Sequence, residues 1–168
     1  YSWNCGAEGI TRKKAILKLR KKQMKNAISF LMTAQGTPLL LAGDEFGNSQ
    51  NGNNNCYCLD DDTSWLDWRL VKKNEDFLTY VKNVIQFRKN HPILHMPEEL
   101  SMTDRFGYGC PDLSYHGEEA WKAELANYNH HVGIMYSSVQ ADGMVKLWYV
   151  AYNMHWEKKQ FSLPKLSK

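Results

Sequence analysis

Apolar positions recur at helical spacing from residue 11 to residue 35, where Ile16, Leu17, Met24, Ala27, Ile28, Leu31 and Ala34 make one stripe. Thr11 is placed to cap the start of this helix, and Gly36 followed by Pro38 to end it. The pattern then changes to a short continuous apolar run, Pro38-Leu39-Leu40-Leu41-Ala42-Gly43. Such a run predicts a strand buried on both faces, as in parallel sheets covered by helices. Residues 48–68 carry neither period and predict a long polar loop, with five asparagines between Asn48 and Asn55. A second helix is predicted over residues 75–90. Asn74 stands at its cap, Glu75 and Asp76 in its first turn, and Phe77, Tyr80, Val81, Val84 and Ile85 on one face. Arg88, Lys89 and His91 sit near its end, and Pro92 stops it. Beyond residue 96 the period shortens. Residues 125–137 and 145–153 read as strands, with a hairpin turn at 140–143. This order predicts an α/β part over residues 1–95 followed by a small β domain over residues 96–168.

Composition narrows the class. A chain of 168 residues with 43% hydrophobic content is enough for one sizeable core or two small domains. A net charge of +3 with 23% charged residues excludes a disordered acidic or basic tail. No run of 18 apolar residues occurs, so no helix long enough to span a membrane is predicted. The chain opens with Tyr1 and no signal-peptide pattern, and it reads as a piece of something longer. Cys5, Cys56, Cys58 and Cys110 lack the spacing and the nearby histidines of a zinc site. Reduced thiols in a cytoplasmic protein, with no metal and no cofactor, are the expectation.

Eight lysines and arginines between Arg12 and Lys25, with no acid among them, oppose the dipole at the start of the first helix. Such a cluster raises a nucleic-acid reading. No nucleic-acid motif or stacking platform accompanies it, so a solvated outer helix face is the simpler expectation, with neither nucleic acid nor membrane as a partner.

Asp44 and Glu45, at the end of the apolar run, sit where α/β enzymes put their chemistry. Adjacent strand residues point to opposite faces, however, so the two are read as support for neighbouring loops and no catalytic residue is assigned. Asn53, Asn54, Asn55 and Tyr57 are the better candidates, for sugar binding. An asparagine tip offers donor and acceptor together, and an aromatic face stacks on a sugar ring. The competing reading is that these asparagines serve left-handed turns and bond the local backbone. Trp65 and Trp68 could form a sugar platform but are read first as core anchors, and Trp148, Tyr149 and Trp156 as filling or flanking the β-domain core.

Several segments carry a family resemblance. They are Tyr1-Ser2-Trp3-Asn4-Cys5-Gly6, the stretch from Gln35 to Gln50 with its Ala42-Gly43-Asp44-Glu45-Phe46-Gly47, then Asn53-Asn54-Asn55-Cys56-Tyr57-Cys58 and Ser64-Trp65-Leu66-Asp67-Trp68. Further on, Pro111-Asp112-Leu113-Ser114-Tyr115-His116-Gly117 and Phe161-Ser162-Leu163-Pro164 continue it. In this order they closely resemble the isoamylase and glycogen-debranching branch of the alpha-amylase family. The resemblance implies the C-terminal part of a (β/α)8 TIM barrel, with its seventh helix, eighth strand and eighth helix, followed by an incomplete antiparallel β-sandwich. It implies hydrolysis of α-1,6 branch linkages in glycogen or limit dextrins with retention, a chemistry that needs two carboxylates about 5 Å apart. The family's catalytic carboxylates precede the motif at Tyr1, so this chain is expected to lack them and to be inactive alone. The implied partners are an α-glucan and either a second copy of the chain or the missing part of the barrel. The alternative is a non-catalytic α-glucan-binding or structural module.

Overall fold

A computed structural model describes residues 3–105, 107–140 and 142–165. Tyr1 and Ser2 of the first signature lie outside the described residues, as does Ala141 of the expected hairpin turn. The chain divides into two compact units, Tyr1–His95 and Met96–Lys168.

The first unit is built on two helices, α1 (Lys14–Thr33) and α3 (Glu75–Asn90), with a short α2 (Arg69–Lys73) before the second. Ile28 and Met32, one turn apart on α1, bury against Phe77 and Val81, one turn apart on α3. Met24, Leu31, Leu40, Tyr80, Val84 and Ile85 close around them. Each such side chain fully removed from water stabilises the fold by about 1.5–3 kcal/mol. Ser29 Oγ and Tyr80 Oη add a 2.6 Å hydrogen bond between the helices.

The basic face of α1 is partly used within the unit. Lys21 pairs with Asp76, and Lys25 lies over the Tyr80 ring at 4.8 Å. Arg20 donates to the carbonyls of Asn4, Ala7 and Gly9, which tethers the 4–9 loop to the helix.

Two expected caps are replaced. Lys13 stands at the start of α1 without a side-chain cap, although Thr11 Oγ1 accepts the Lys13 N–H at 3.2 Å. Asn74 heads α3, but its amide donates to the Phe46 carbonyl at 2.9 Å instead of capping the helix. The end of α1 is closed from another element. Arg88 of α3 is only 6% exposed and donates to the carbonyls of Met32 (2.9 Å), Ala34 (2.6 Å) and Gly36 (2.5 Å). Carbonyls at a helix C-terminus have no partner inside the helix, and a guanidinium fork suits three of them at once.

The strand expected over residues 38–42 is not formed. No strand occurs among the described residues of the first unit, and Leu39 is 89% exposed. A buried parallel strand needs hydrogen-bonding neighbours on both sides, and this unit supplies none.

The second unit holds one antiparallel sheet in the order β1-β2-β3, made of β1 (Leu113–His116), β2 (His131–Val139) and β3 (Val145–Asn153). β2 and β3 form the expected hairpin, closed by Gln140 N–H to Met144 O at 2.8 Å. The first predicted strand begins later than its pattern suggested, at His131, and β1 was not among the predicted strands. A single sheet of three strands, not two facing sheets, is what the described residues form.

Gly133 shows why the sheet needs a glycine. It pairs with His116 on one side and Ala151 on the other. A Cβ there would stand 2.0 Å from the Tyr149 hydroxyl and 3.3 Å from His116 Cβ. The Tyr149 ring lies 5.5 Å from the fully buried His116 imidazole, and its hydroxyl is buried without a partner. Burial also pushes the Tyr149 pKa up. Trp148 and Tyr149 are half-buried, whereas Trp156, expected at the β core, is 85% exposed. Trp156 stacks on His155 at 4.0 Å, in the turn that follows β3.

Candidate functional site

The apolar run ends in a tight turn, Asp44–Phe46, bracketed by Gly43 and Gly47 at φ 99° and 75°. A Cβ at Gly43 would lie 2.7 Å from Asn48 Cβ and 2.8 Å from Leu66 Cδ2, so only glycine lets these segments meet. Asn48 joins the stems of the loop beyond. Its N–H donates to Gly43 O at 2.9 Å, and its Oδ1 accepts the Asp67 N–H at 3.0 Å. Residues 49–66 therefore form a loop fixed at its base. Asp67 in turn forks the Arg69 guanidinium at 2.7 and 3.0 Å. That hydrogen bond holds the Asp67 carboxyl below its ordinary pKa.

Within the loop, Asn51 (φ 53°) and Gly52 (φ 85°) turn the chain, and Asn53 N–H donates to Gln50 O at 3.0 Å. Asn53 Oδ1 accepts the Asn55 N–H at 2.8 Å. Asn53 thus spends its side-chain oxygen on the turn, the local use that competes with sugar contact. Asn54 and Asn55 are exposed, and no hydrogen bond engages their side-chain amides among the described contacts. Tyr57 follows in the Cys56–Cys58 turn, with its ring 86% exposed. Ser64 Oγ to Leu59 O at 2.5 Å and Trp65 Nε1 to Asp60 Oδ1 at 3.0 Å brace the returning arm.

Glu45 is used inside its own turn, where Oε2 accepts the Gly43 N–H at 2.8 Å. Asp44 is pushed above its ordinary pKa, first by burial and then by the neighbouring Glu45 charge. Trp65 and Trp68, expected as core anchors, are both exposed in this chain. The Trp68 ring meets the buried Phe46 ring at 5.6 Å on one side. Among the described residues, no group of three or more His, Cys, Asp or Glu side chains is placed to hold a metal ion. Sequence reasoning missed Asn48 and Arg88, whose importance lies in what they reach across the fold.

Comparison with known proteins supplies the context. The chain is 33% identical over 165 residues to the chloroplastic isoamylase 1 of Arabidopsis thaliana, covering 98% of this chain and 20% of that protein. It is 51% identical over 92 residues to a glycogen operon protein GlgX homolog of Mycobacterium tuberculosis, covering 55% of this chain and 13% of that protein. The chain is homologous to the isoamylase and glycogen-debranching enzymes. A glycogen debranching enzyme of Klebsiella pneumoniae shares 43% identity over 94 residues, 56% of this chain and 14% of that protein. The chain therefore spans one fifth or less of the length of these relatives. No family model matches it. Its fold is that of the corresponding part of a pullulanase from Paenibacillus barengoltzii solved with maltotetraose (TM-score 0.67, 23% identity, 90% of this chain and 21% of that one). A pullulanase from Bacillus acidopullulyticus gives a TM-score of 0.66 at 20% identity over 92% of this chain and 17% of that one.

Proposed function

We propose that this chain supplies α-glucan contacts to a cytoplasmic debranching glycosidase. The enzyme hydrolyses α-1,6 branch linkages in glycogen or limit dextrins by a retaining mechanism with two carboxylates. The carboxylates that perform the chemistry come from the enzyme's other segments. Glu45 is tied into its own turn and Asp44 is its direct neighbour, whereas a retaining pair flanks the scissile bond from two sides. In the whole enzyme, Leu39 to Leu41 pair as the last strand of a (β/α)8 barrel, and residues 96–168 contribute to an antiparallel sandwich. Taken alone, the chain self-associates or binds the rest of the barrel, because open strand edges and apolar patches promote association.

The observation that carries the reading is the exposed Tyr57 ring beside the exposed Asn54 and Asn55 amides, on a loop whose two stems Asn48 pins together. A stacking face with donor and acceptor tips on a fixed support is what a sugar ring requires. The test is Asn54→Ala and Tyr57→Ala in the full-length enzyme, assayed on limit dextrin. Loss of one neutral hydrogen bond raises KM about two- to tenfold, with the melting temperature unchanged. A lower melting temperature with unchanged kcat/KM shows the loop to be structural only.

A further inference from the structure

Asn51 is the only asparagine in the sequence that is followed by glycine. The pair forms the centre of a turn over residues 50–53, with φ 53° at Asn51 and 85° at Gly52 and the Asn53 N–H donating to the Gln50 carbonyl at 3.0 Å. Positive φ at both central residues is the type I′ arrangement, which Asn-Gly favours. Both residues are exposed. A Cβ built on Gly52 would meet nothing within 4 Å, so the space around this residue is open. The Asn51 side-chain amide makes no hydrogen bond among the described contacts. Its backbone N–H is held by Ser49 Oγ at 3.2 Å.

This setting has a specific chemistry. A bond from Gly52 N to Asn51 Cγ closes a five-membered ring, and a glycine nitrogen has no side chain beside it to obstruct the approach. The neighbouring asparagines are worse placed. Asn48 is half-buried and its Oδ1 accepts the Asp67 N–H, while Asn53 Oδ1 accepts the Asn55 N–H. Asn54 and Asn55 are exposed, but the residues that follow them, Asn55 and Cys56, each carry a Cβ. Ring closure rotates the Asn51 backbone and gives up the bond from Asn53 to Gln50. Water replaces that bond at the loop surface, so the turn opens readily. The stems that Asn48 holds do not have to move.

We propose that Asn51 is a site of spontaneous deamidation and isomerisation, with water as the co-reactant. Gly52 N loses its proton and attacks Asn51 Cγ. The Cγ–Nδ2 bond breaks, and Nδ2 takes up a proton and leaves as ammonia, so a succinimide remains. Water then adds to one of the two ring carbonyls and opens the ring. Cleavage of the bond from nitrogen to Cγ gives aspartate at position 51, and cleavage of the bond from nitrogen to the main-chain carbonyl carbon gives isoaspartate. The balance is one water consumed and one ammonia released, with no oxidation or reduction. Isoaspartate carries the main chain through one additional methylene, which breaks the 50–53 turn and re-aims the segment bearing Asn54, Asn55 and Tyr57. Either product adds a negative charge to a loop that already holds Asp60, Asp61 and Asp62.

The test incubates the full chain in mildly alkaline buffer and follows each asparagine by peptide mass mapping, with electron-transfer fragmentation to separate aspartate from isoaspartate. Conversion of Asn51 ahead of Asn53, Asn54 and Asn55, with isoaspartate among the products, supports the site whether or not the loop binds sugar. Gly52→Ala is expected to slow the conversion about tenfold, because a Cβ crowds the attacking nitrogen and narrows the backbone angles it can reach. Three results overturn the proposal. The first is an Asn51 that stays intact in the folded chain while a urea-unfolded sample converts, and the second is conversion spread evenly over the four asparagines. The third is an unchanged rate in Gly52→Ala with the near-ultraviolet circular dichroism preserved.

Discussion

Arg88 is the most consequential single side chain in the first unit, and its removal is a sharp test of how the unit is held. It is buried on α3 and donates to three carbonyls at and beyond the end of α1. Arg88→Met keeps most of the stem volume and deletes all three donors. Hydrogen bonds to a charged group contribute about 1.5–3 kcal/mol each. The gross sum overstates the effect, because the guanidinium also loses its hydration on burial. The Met32 carbonyl is left fully buried and unpartnered, while those of Ala34 and Gly36 recover water. An expected loss of about 2–4 kcal/mol follows. Arg88→Lys places one ammonium where a planar fork stood, reaches one or two of the carbonyls, and recovers about half of that loss. Urea unfolding followed by near-ultraviolet circular dichroism gives both values. A loss below about 0.5 kcal/mol for Arg88→Met, the ordinary range for a surface substitution, refutes the reasoning. So does Arg88→Lys behaving as wild type, because the argument depends on the fork and not on the charge.

Three other outcomes follow from the second unit. Asp112 is buried and accepts the Ser101 N–H, the Ser101 hydroxyl and the Met102 N–H at 2.8–2.9 Å. Burial works to raise its pKa, but these bonds and that from the Leu113 backbone outweigh it and hold the carboxyl below its ordinary 3.8. Its stabilisation is therefore complete above 3.8 and is lost as pH falls through the lower folded value. Asp112→Asn costs about 2–3 kcal/mol at pH 7, and the gap to wild type narrows in acid; an equal gap at both pH values refutes the assignment. His116 accepts the Trp121 N–H at Nδ1, so Nε2 carries the proton toward Ser114 Oγ, and burial lowers the imidazole pKa from 6.5. Wild-type stability is then expected to fall as pH drops below 6.5, because the unfolded chain takes up a proton that the fold refuses, and His116→Gln is expected to lose that slope in pH-dependent urea midpoints. Tyr149→Phe removes a buried hydroxyl with no partner and raises stability by about 1 kcal/mol, whereas Gly133→Ala drives a methyl into the same ring and costs about 1–3 kcal/mol or more; thermal melts in the opposite order contradict the packing described for β2 and β3.

The two long helices were legible because each carries its own period, and Ile28, Phe77 and Val81 are where the stripes put them. What was not legible is what polar side chains reach across space. Asn74 has the residue type and place of a cap, yet it bonds the Phe46 carbonyl, and nothing local in the sequence distinguishes the two uses. Arg88 reads as an ordinary basic residue of a last turn, placed to suit its own helix dipole. It is instead the closing group of a helix more than fifty positions earlier. Asn48 is one of five asparagines in a polar stretch, and only the proximity of Gly43, Leu66 and Asp67 separates it from the rest. In the candidate loop, residue type suggested sugar contact for at least one of Asn53, Asn54 and Asn55 and turn chemistry for the others, without saying which. The turn geometry divides them, since Asn53 alone has its oxygen committed to the turn.

The largest disagreement between pattern and structure is itself informative. Leu39, Leu41, Trp65 and Trp68 have the composition of buried positions, and all four are exposed. They belong to the two arms flanking the loop that Asn48 closes, and Leu40, between the first two, packs on the helix core. Alternation of that kind is what a strand shows when one of its faces is covered and the other is not. A hydrophobic pattern records burial in the complete assembly that a sequence serves, whereas exposure is measured on the chain in hand. The chain spans one fifth or less of the relatives it matches, so the two measures are expected to part where further segments of such a protein would pack. They part beside the Asn54–Tyr57 loop. On the proposed reading, the surface that covers Leu39 and Leu41 also forms the floor against which that loop presents its sugar-binding groups. Support of the loop and completion of the barrel are then one structural event, and a substitution such as Leu41→Asp in the full-length enzyme is expected to impair both together.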